Sequence, residues 1–238
     1  MASLRLAIFF NAFYQSLVST THTPSDAQSR AFKGAPGCRV YLFRHGETAN
    51  AHQICMNGHF DVALSENGVE QASQLAEAMK NQPLRAVYSS DLQRTVQGAR
   101  LIAEHHKLEA IALPELRELS FGQWEGKSLT ELSEKFPGEM DKRLKQTELF
   151  RADGGETFQE LHDRVIPKFL EITASHSNDS IAFVCHGGVN RAILAHLLGF
   201  PIANLFRISQ HFAAVNIIQF YEDQVMVELL NGTWQHIT

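Results

Sequence analysis

Short apolar runs alternate with amphipathic stretches along most of this chain. "CRVYLF" (38–43), "RAVYSS" (85–90) and "SIAFVCH" (180–186) are compact, β-branched or aromatic, and read as buried strands. Between them the apolar spacing switches to the helical period. Val69, Ala72, Leu75, Ala76 and Met79 fall on one face of 65–80, with Ser65 as N-cap. Further helices are predicted over 91–106 (Asp91 at its start), 128–136 (stopped by Pro137-Gly138), 156–176 (kinked near Pro167) and 187–199 (closed by Gly199-Phe200-Pro201). Residues 111–119 read as an extended piece interrupted by Pro114, and 213–223 with 224–231 as a closing hairpin. Buried strands separated by helices predict a three-layer α/β fold, a mostly parallel sheet with helices on both faces. Ligands in such folds sit at the carboxyl ends of the strands. Here three strand predictions end in polar, reactive residues: Arg44-His45, a helix bearing Arg94, and His186-Gly187-Gly188.

Residues 1–37 break this pattern. An arginine, an apolar stretch interrupted by Asn11 and a Ser/Thr-rich tail resemble a leader only loosely. The segment is expected to be an N-terminal extension, with a secretory or organelle leader as the alternative, and 38–238 a single domain. The 238 residues are 44% hydrophobic and 20% charged, enough for a sizeable core and unlike a disordered chain. The net charge of −5 and the lack of a basic run argue against nucleic acid, yet a few arginines focused in a cleft still capture an anion. Cys38, Cys55 and Cys185 are odd in number and lack metal or redox spacing, which favours a reducing, cytoplasmic setting. Cys185, next to His186, is read as a buried strand-end thiol. No stretch approaches a membrane span. A homodimer is left open.

"YLFRHGETAN" (41–50) carries the chemistry. A neutral imidazole can attack phosphorus, planar guanidinium groups match phosphoryl oxygens, and a carboxylic acid can protonate a departing alkoxide. His45 is the candidate nucleophile, with Gly46 allowing close approach of the backbone to phosphate. Arg44 and Arg94 are candidate clamps, and His186 a second donor. Gly187 would offer a backbone N–H near a helix start. Glu118 or Glu125, in "LRELSFGQWEGKS", is the candidate acid. His52 and His59 are candidates for the cleft lining. The remaining histidines form no metal-binding spacing, and neither a metal nor another cofactor is expected.

"RHGET", "SSDLQRTVQGA", "LRELSFGQWEGKS", "DGGETFQEL" and "VCHGGVNRAIL", in this order from about residue 39 onward, resemble the histidine phosphatase superfamily and its phosphoglycerate mutase-like fold. The resemblance implies a phosphohistidine mechanism without metal, acting on a small phosphorylated metabolite. His45 would be phosphorylated, Arg44, Arg94 and His186 would form the phosphate pocket, Glu118 would donate the proton, and Glu125 would be structural or at the rim. Thr48, Asn50, Asn57, Gly58 and Gly187 are expected to contact substrate. Three departures stand out. The family's asparagine six positions after the first histidine is replaced by Ala51, with Asn50 one place early; Asn57-Gly58 stands for Gln-Gly; and Asn190 is polar where an apolar residue is usual. The short span between Glu118 and Gly154 and the hairpin-like end resemble the phosphatase branch, which includes α-ribazole phosphatase, broad-specificity acid phosphatases and sugar bisphosphatases. A mutase-type phosphotransferase and a non-catalytic phosphate binder are the alternatives. "FPGEMDKRLKQTELF" (136–150) carries no readable motif, and its Lys142, Arg143 and Lys145 are expected to form a solvated basic patch rather than meet a second anionic group.

Overall fold

The structure, a computed structural model, describes residues 35–237. The expected leader therefore lies outside the described residues except for its last three positions, and Pro36 and Gly37 already belong to the first strand. The strands are β1 (Pro36–Arg44), β2 (Cys55–Met56), β3 (Leu84–Ser89), β4 (Ala110–Ala112), β5 (Lys127–Ser128), β6 (Ser180–Cys185), β7 (Val215–Tyr221) and β8 (Val225–Gly232). The helices are α1 (Glu66–Met79), α2 (Gln93–His105), α3 (Leu129–Lys135), α4 (Glu139–Lys145), α5 (Phe158–Ser175) and α6 (Gly187–Leu198).

A six-stranded sheet runs β4-β3-β6-β1-β7-β8. β4, β3, β6 and β1 are mutually parallel, and β7 and β8 extend the sheet as an antiparallel hairpin. β2 and β5 form a separate two-stranded ribbon. The period-2 alternation of β1 divides the core. Cys38, Val40 and Leu42 pack with α5 and α6, while Tyr41 and Phe43 pack with α1 and α2. Each such fully buried Leu or Phe stabilises the fold by ~1.5–3 kcal/mol. The core therefore anchors the central strands from both faces and holds their carboxyl ends in place.

The helix starts follow from capping. Ser65 accepts the Gly68 N–H, and Ser128-Glu131 and Thr157-Glu160 form complete capping boxes for α3 and α5. α2 differs from expectation. It begins at Gln93 with no side-chain cap, and Asp91 is drawn away by a two-bond ion pair to Arg117 at 2.6 and 2.5 Å. The extended piece at 111–119 shortens to β4, because Pro114 starts a 3-10 turn over Pro114–Leu116. Pro167 lies inside α5 without ending it. α4 arises within 136–150, where sequence periodicity showed nothing, and starts from Gly138 in the left-handed region (φ 80°). No helix of the described residues is long and apolar enough to cross a membrane.

Candidate active site

Strand register brings the reactive residues together. β1 pairs with β6 so that Arg44 lies opposite Cys185, and the His45 N–H donates to the Cys185 carbonyl at 3.0 Å. The residues just beyond the two strand ends, His45 and His186, are thus neighbours, with ring centroids 5.3 Å apart. β3 pairs with β6 one step further, Ser89 opposite Val184, which brings Ser90 beside His186.

His45 is buried, and its Nδ1–H donates to the Gly46 carbonyl at 2.7 Å. A carbonyl only accepts, so Nδ1 carries the proton and Nε2 keeps a lone pair. Burial, then the cations of Arg44 and Arg94, hold this imidazole well below the ordinary histidine range, so it is neutral at physiological pH. His186 is pushed the same way by burial and then by Arg94. Its Nε2 bonds Ser90 Oγ at 2.7 Å, and Ser90 Oγ bonds Thr95 Oγ1 at 2.7 Å. His186 Nδ1 is buried and without a protein partner, as is Arg44 Nε. Both atoms belong to residues next to His45, and buried polar atoms with nothing to bond suit a bound anion.

Each arginine is fixed by backbone carbonyls. Arg94, 1% exposed, donates to the Gly58 and Phe60 carbonyls at 2.6 and 3.0 Å. Arg44 donates to the Gln210 carbonyl at 2.6 Å and lies over the Phe212 ring at 4.2 Å. Burial, opposed by Glu118 and aided by Arg191 and Arg94, pulls the Arg44 guanidinium down to about 10, which leaves it a cation at neutral pH. Beneath it runs a chain of buried amides. Asn190 Nδ2 donates to Gln210 Oε1, Gln210 Nε2 to Asn216 Oδ1, and Asn216 Nδ2 to the Leu42 carbonyl. The polar Asn190 thus belongs to the mount that holds Gln210, and with it Arg44.

Glu118 faces these groups from the other side. Its two oxygens accept the Leu119 N–H and the Gly188 N–H, both at 2.9 Å. A Cβ on Gly188 would collide with Glu118 Oε1, so any larger residue would displace the carboxylate from this position. The Glu118 carbonyl is braced by His59 Nε2 at 2.9 Å and Arg164 Nη2 at 3.3 Å. Arg164 is also paired with Glu156, whose Oε2 accepts the Ser120 N–H. The conspicuous "GGET" block thus serves the segment that presents Glu118. Glu125 is structural: its Oε1 accepts from the His59 and Phe121 N–H groups and the Ser120 hydroxyl.

The expected substrate contacts divide. Thr48, Asn50, Asn57, Gly58 and Gly187 all line a cavity of about 450 Å³ together with Arg44, His45, Arg94 and Glu118. The side chains of Asn50 and Asn57 are locked to each other by two amide hydrogen bonds, and the Thr48 hydroxyl donates to Asn50 Oδ1. His52 is not among the lining residues, and His59 acts through the Glu118 backbone. Gly46 has a packing role that the sequence does not show. A Cβ there would collide with the Gly68 carbonyl oxygen, so the glycine permits contact with the start of α1. Cys185 is buried as expected, and burial raises its thiol far above the ordinary range.

The reading of Arg143 as part of a solvated patch is overturned. Arg143 is 8% exposed, lines the cavity, and lies 5.0 to 5.8 Å from the ring centroids of Phe121, Phe158 and Phe206. Its neighbours Lys142 and Lys145 are exposed. Arg191, also lining the cavity, was missed. It lies on α6, three residues past Gly188, a helical spacing that returns it to the pocket face.

Comparison with known proteins agrees with this architecture. Residues 40–233 match the family model of the histidine phosphatase superfamily (branch 1). Phosphoserine phosphatase 1 of Hydrogenobacter thermophilus is 29% identical over 195 residues, covering 82% of this chain and 92% of that protein. Phosphoglycerate mutase-like protein 4 of Arabidopsis thaliana is 35% identical over 158 residues, covering 65% and 68%. The crystal structure of the alpha-ribazole phosphatase from Shigella flexneri superposes with a TM-score of 0.75 at 26% identity, covering 82% of this chain and 96% of that one.

Proposed function

The chain belongs to the histidine phosphatase superfamily, branch 1, and from its pocket we propose that it hydrolyses small phosphomonoesters by way of a phosphohistidine at His45. The observation that carries the proposal is the His45 tautomer, with Nδ1–H tied to the Gly46 carbonyl and Nε2 left free in a cationic pocket. The Nε2 lone pair attacks phosphorus as the ester P–O bond breaks, and the leaving alkoxide takes a proton from the Glu118 carboxyl. Water then attacks the phosphohistidine. Glu118, now a carboxylate, accepts the water proton, the P–N bond breaks, and its electron pair returns to Nε2 as orthophosphate departs. Arg44 and Arg94 neutralise the equatorial oxygens, each close arginine contact contributing about 4 kcal/mol at an effective dielectric of 20, before desolvation, while the neutral His186 offers them an Nδ1–H hydrogen bond. This arrangement needs no metal, because the arginines supply the positive charge. The acidic balance and the free cysteines support a cytoplasmic enzyme, with 38–238 as its catalytic domain and no nucleic-acid partner.

A transferase reading has the support of the mutase-like relative. The same phosphoenzyme serves both reactions, and the difference is whether water reaches it. The short segment between Glu118 and Gly154 supports hydrolysis. Incubation with a radiolabelled monoester should give acid-labile, alkali-stable label in the wild type and none in His45→Ala, with inorganic phosphate as the main product. Label that persists in His45→Ala would remove the nucleophile assignment. Interconversion of 2- and 3-phosphoglycerate faster than phosphate release would make the chain a mutase.

A further inference from the structure

The phosphoryl site uses only part of the pocket's charge. Arg44, Arg94, Arg143 and Arg191 all interact with one carboxylate, Glu118. Even with Glu118 ionised, a phosphomonoester dianion leaves a cationic surplus, and the surplus lies in one place. The Arg143 side chain makes no hydrogen bond or ion pair among the described residues, although it is 8% exposed. Its contacts are the ring faces of Phe121, Phe158 and Phe206. Arg191 is anchored through Nε to the Ile208 carbonyl at 2.8 Å and shares the Phe206 ring, 5.9 Å from its centroid. Its Nη1 lies 3.0 Å from the position a Cβ on Gly187 would take, and Arg44 Nε lies 3.5 Å from that same point. The second cationic pair therefore adjoins the phosphoryl clamp.

A mostly buried guanidinium that faces the cavity from among aromatic rings, with no protein acceptor for its N–H groups, is a ready site for an anion. Resting on the phosphatase reading above, we propose that the substrate carries a carboxylate a few bonds from the reacting phosphoryl group, bound by Arg143 and Arg191 across Phe206. A carboxylate matches the planar N–H fork of arginine in shape and supplies the missing negative charge. Phenylalanine walls offer no polar alternative to it, and a neutral hydroxyl in the same position could accept a single hydrogen bond but would leave the positive charge uncompensated.

A matched pair of probes tests this. 3-Phosphoglycerate and glycerol 3-phosphate differ in a carboxylate against a hydroxymethyl group. The wild type should favour the first by at least about tenfold in kcat/KM. Arg143→Met should reduce that ratio towards one. Lys145→Met, an exposed neighbour on α4, should retain the wild-type ratio, which separates the subsite from general basic attraction. If Arg143→Met does not fold, Arg143→Lys, which keeps the charge and loses the planar fork, should give an intermediate ratio. Equal turnover of both probes by the wild type would overturn the subsite while leaving the phosphatase reading intact. A wild-type ratio retained undiminished in folded Arg143→Met, or in folded Arg143→Lys, would overturn it as well. Failure to release phosphate from either probe and from p-nitrophenyl phosphate would bring down the phosphatase reading itself, and the subsite with it.

Discussion

The two halves of the pocket are built on different principles. The floor consists of His45, Arg44 and Arg94, with His186 packed against the His45 ring, and each is pinned by a short hydrogen bond to backbone or to a buried hydroxyl. The wall that carries Arg143 is held by ring contacts on Phe121, Phe158 and Phe206, with no hydrogen bond to the guanidinium. Hydrogen bonds fix a side chain to fractions of an ångström, whereas aromatic faces fix a plane and leave its rotation free. A phosphoryl group is the same in every monoester and suits the rigid half. The remainder of the substrate varies and suits the adaptable one. The pinning of the floor is what in-line attack demands, since small misplacements of a nucleophile are costly.

Glu118 stands at the seam, and the largest effect is expected there. Glu118→Gln should slow esters with poor leaving groups by roughly 10²-fold or more, the scale of general acid catalysis. An aryl phosphate with a good leaving group needs little protonation and should lose less. Glu125→Gln should not show this dependence on the leaving group, because its carboxylate holds the loop by accepting from His59, Phe121 and Ser120. Steady-state kinetics over a series of leaving groups checks this. If the selective loss followed Glu125 instead, the floor would have been assigned the wrong acid.

Acid pH should strain the floor more than the wall. His45 and His186 are both kept neutral by burial, with arginine cations adding to it. Once unfolded, each takes up a proton near pH ~6.5, while the folded protein resists until well below that. The unfolded state then binds more protons, so the stability from these groups is complete above pH ~6.5 and is lost as pH falls. The expected slope is up to about 1.4 kcal/mol per histidine per pH unit below that point. Thermal melts of the ligand-free protein between pH 7 and 5 measure it, and His186→Phe should flatten the slope. The arginines of the wall are cations throughout that range and add no slope. A melt independent of pH would mean that the two imidazoles are not buried as described.

The same contrast explains what could be read from sequence. The floor lies at strand ends, where a hydrophobic run stopping at Arg44-His45 or at His186 is a local signal, and parallel pairing did the rest. Arg94 was readable only because its helix follows a strand. Arg143 was not readable, because α4, at 7 residues, is too short to show a period and its burial depends on Phe121, Phe158 and Phe206, which come from three separate segments. Charge on a short helix looks solvated until its neighbours are known. A further reason for glycine at position 46, the close contact with Gly68, is invisible without the tertiary fold. Asp91 shows the converse: a good cap residue lost to Arg117, more distant in sequence.

The smallest expected effect concerns the mount under Arg44. Asn190 is fully buried and donates to Gln210 Oε1 at 3.0 Å. In Asn190→Val that oxygen would still accept from Asn216 Nδ2, also at 3.0 Å, so no acceptor is stranded. The substitution also removes Asn190 Oδ1, a buried atom without a partner. The loss of one net hydrogen bond, about 1 kcal/mol, is thus offset by the removal of an unsatisfied group, and stability should change by less than about 1 kcal/mol in either direction. Arg44 would keep its bond to the Gln210 carbonyl, now on a looser mount, so kcat/KM should fall by less than about tenfold, a cost under ~1.4 kcal/mol. Denaturant melts and kinetics on one preparation read both. A loss comparable to that of Glu118→Gln would mean that the amide chain, rather than the Gln210 carbonyl alone, sets the position of the clamp.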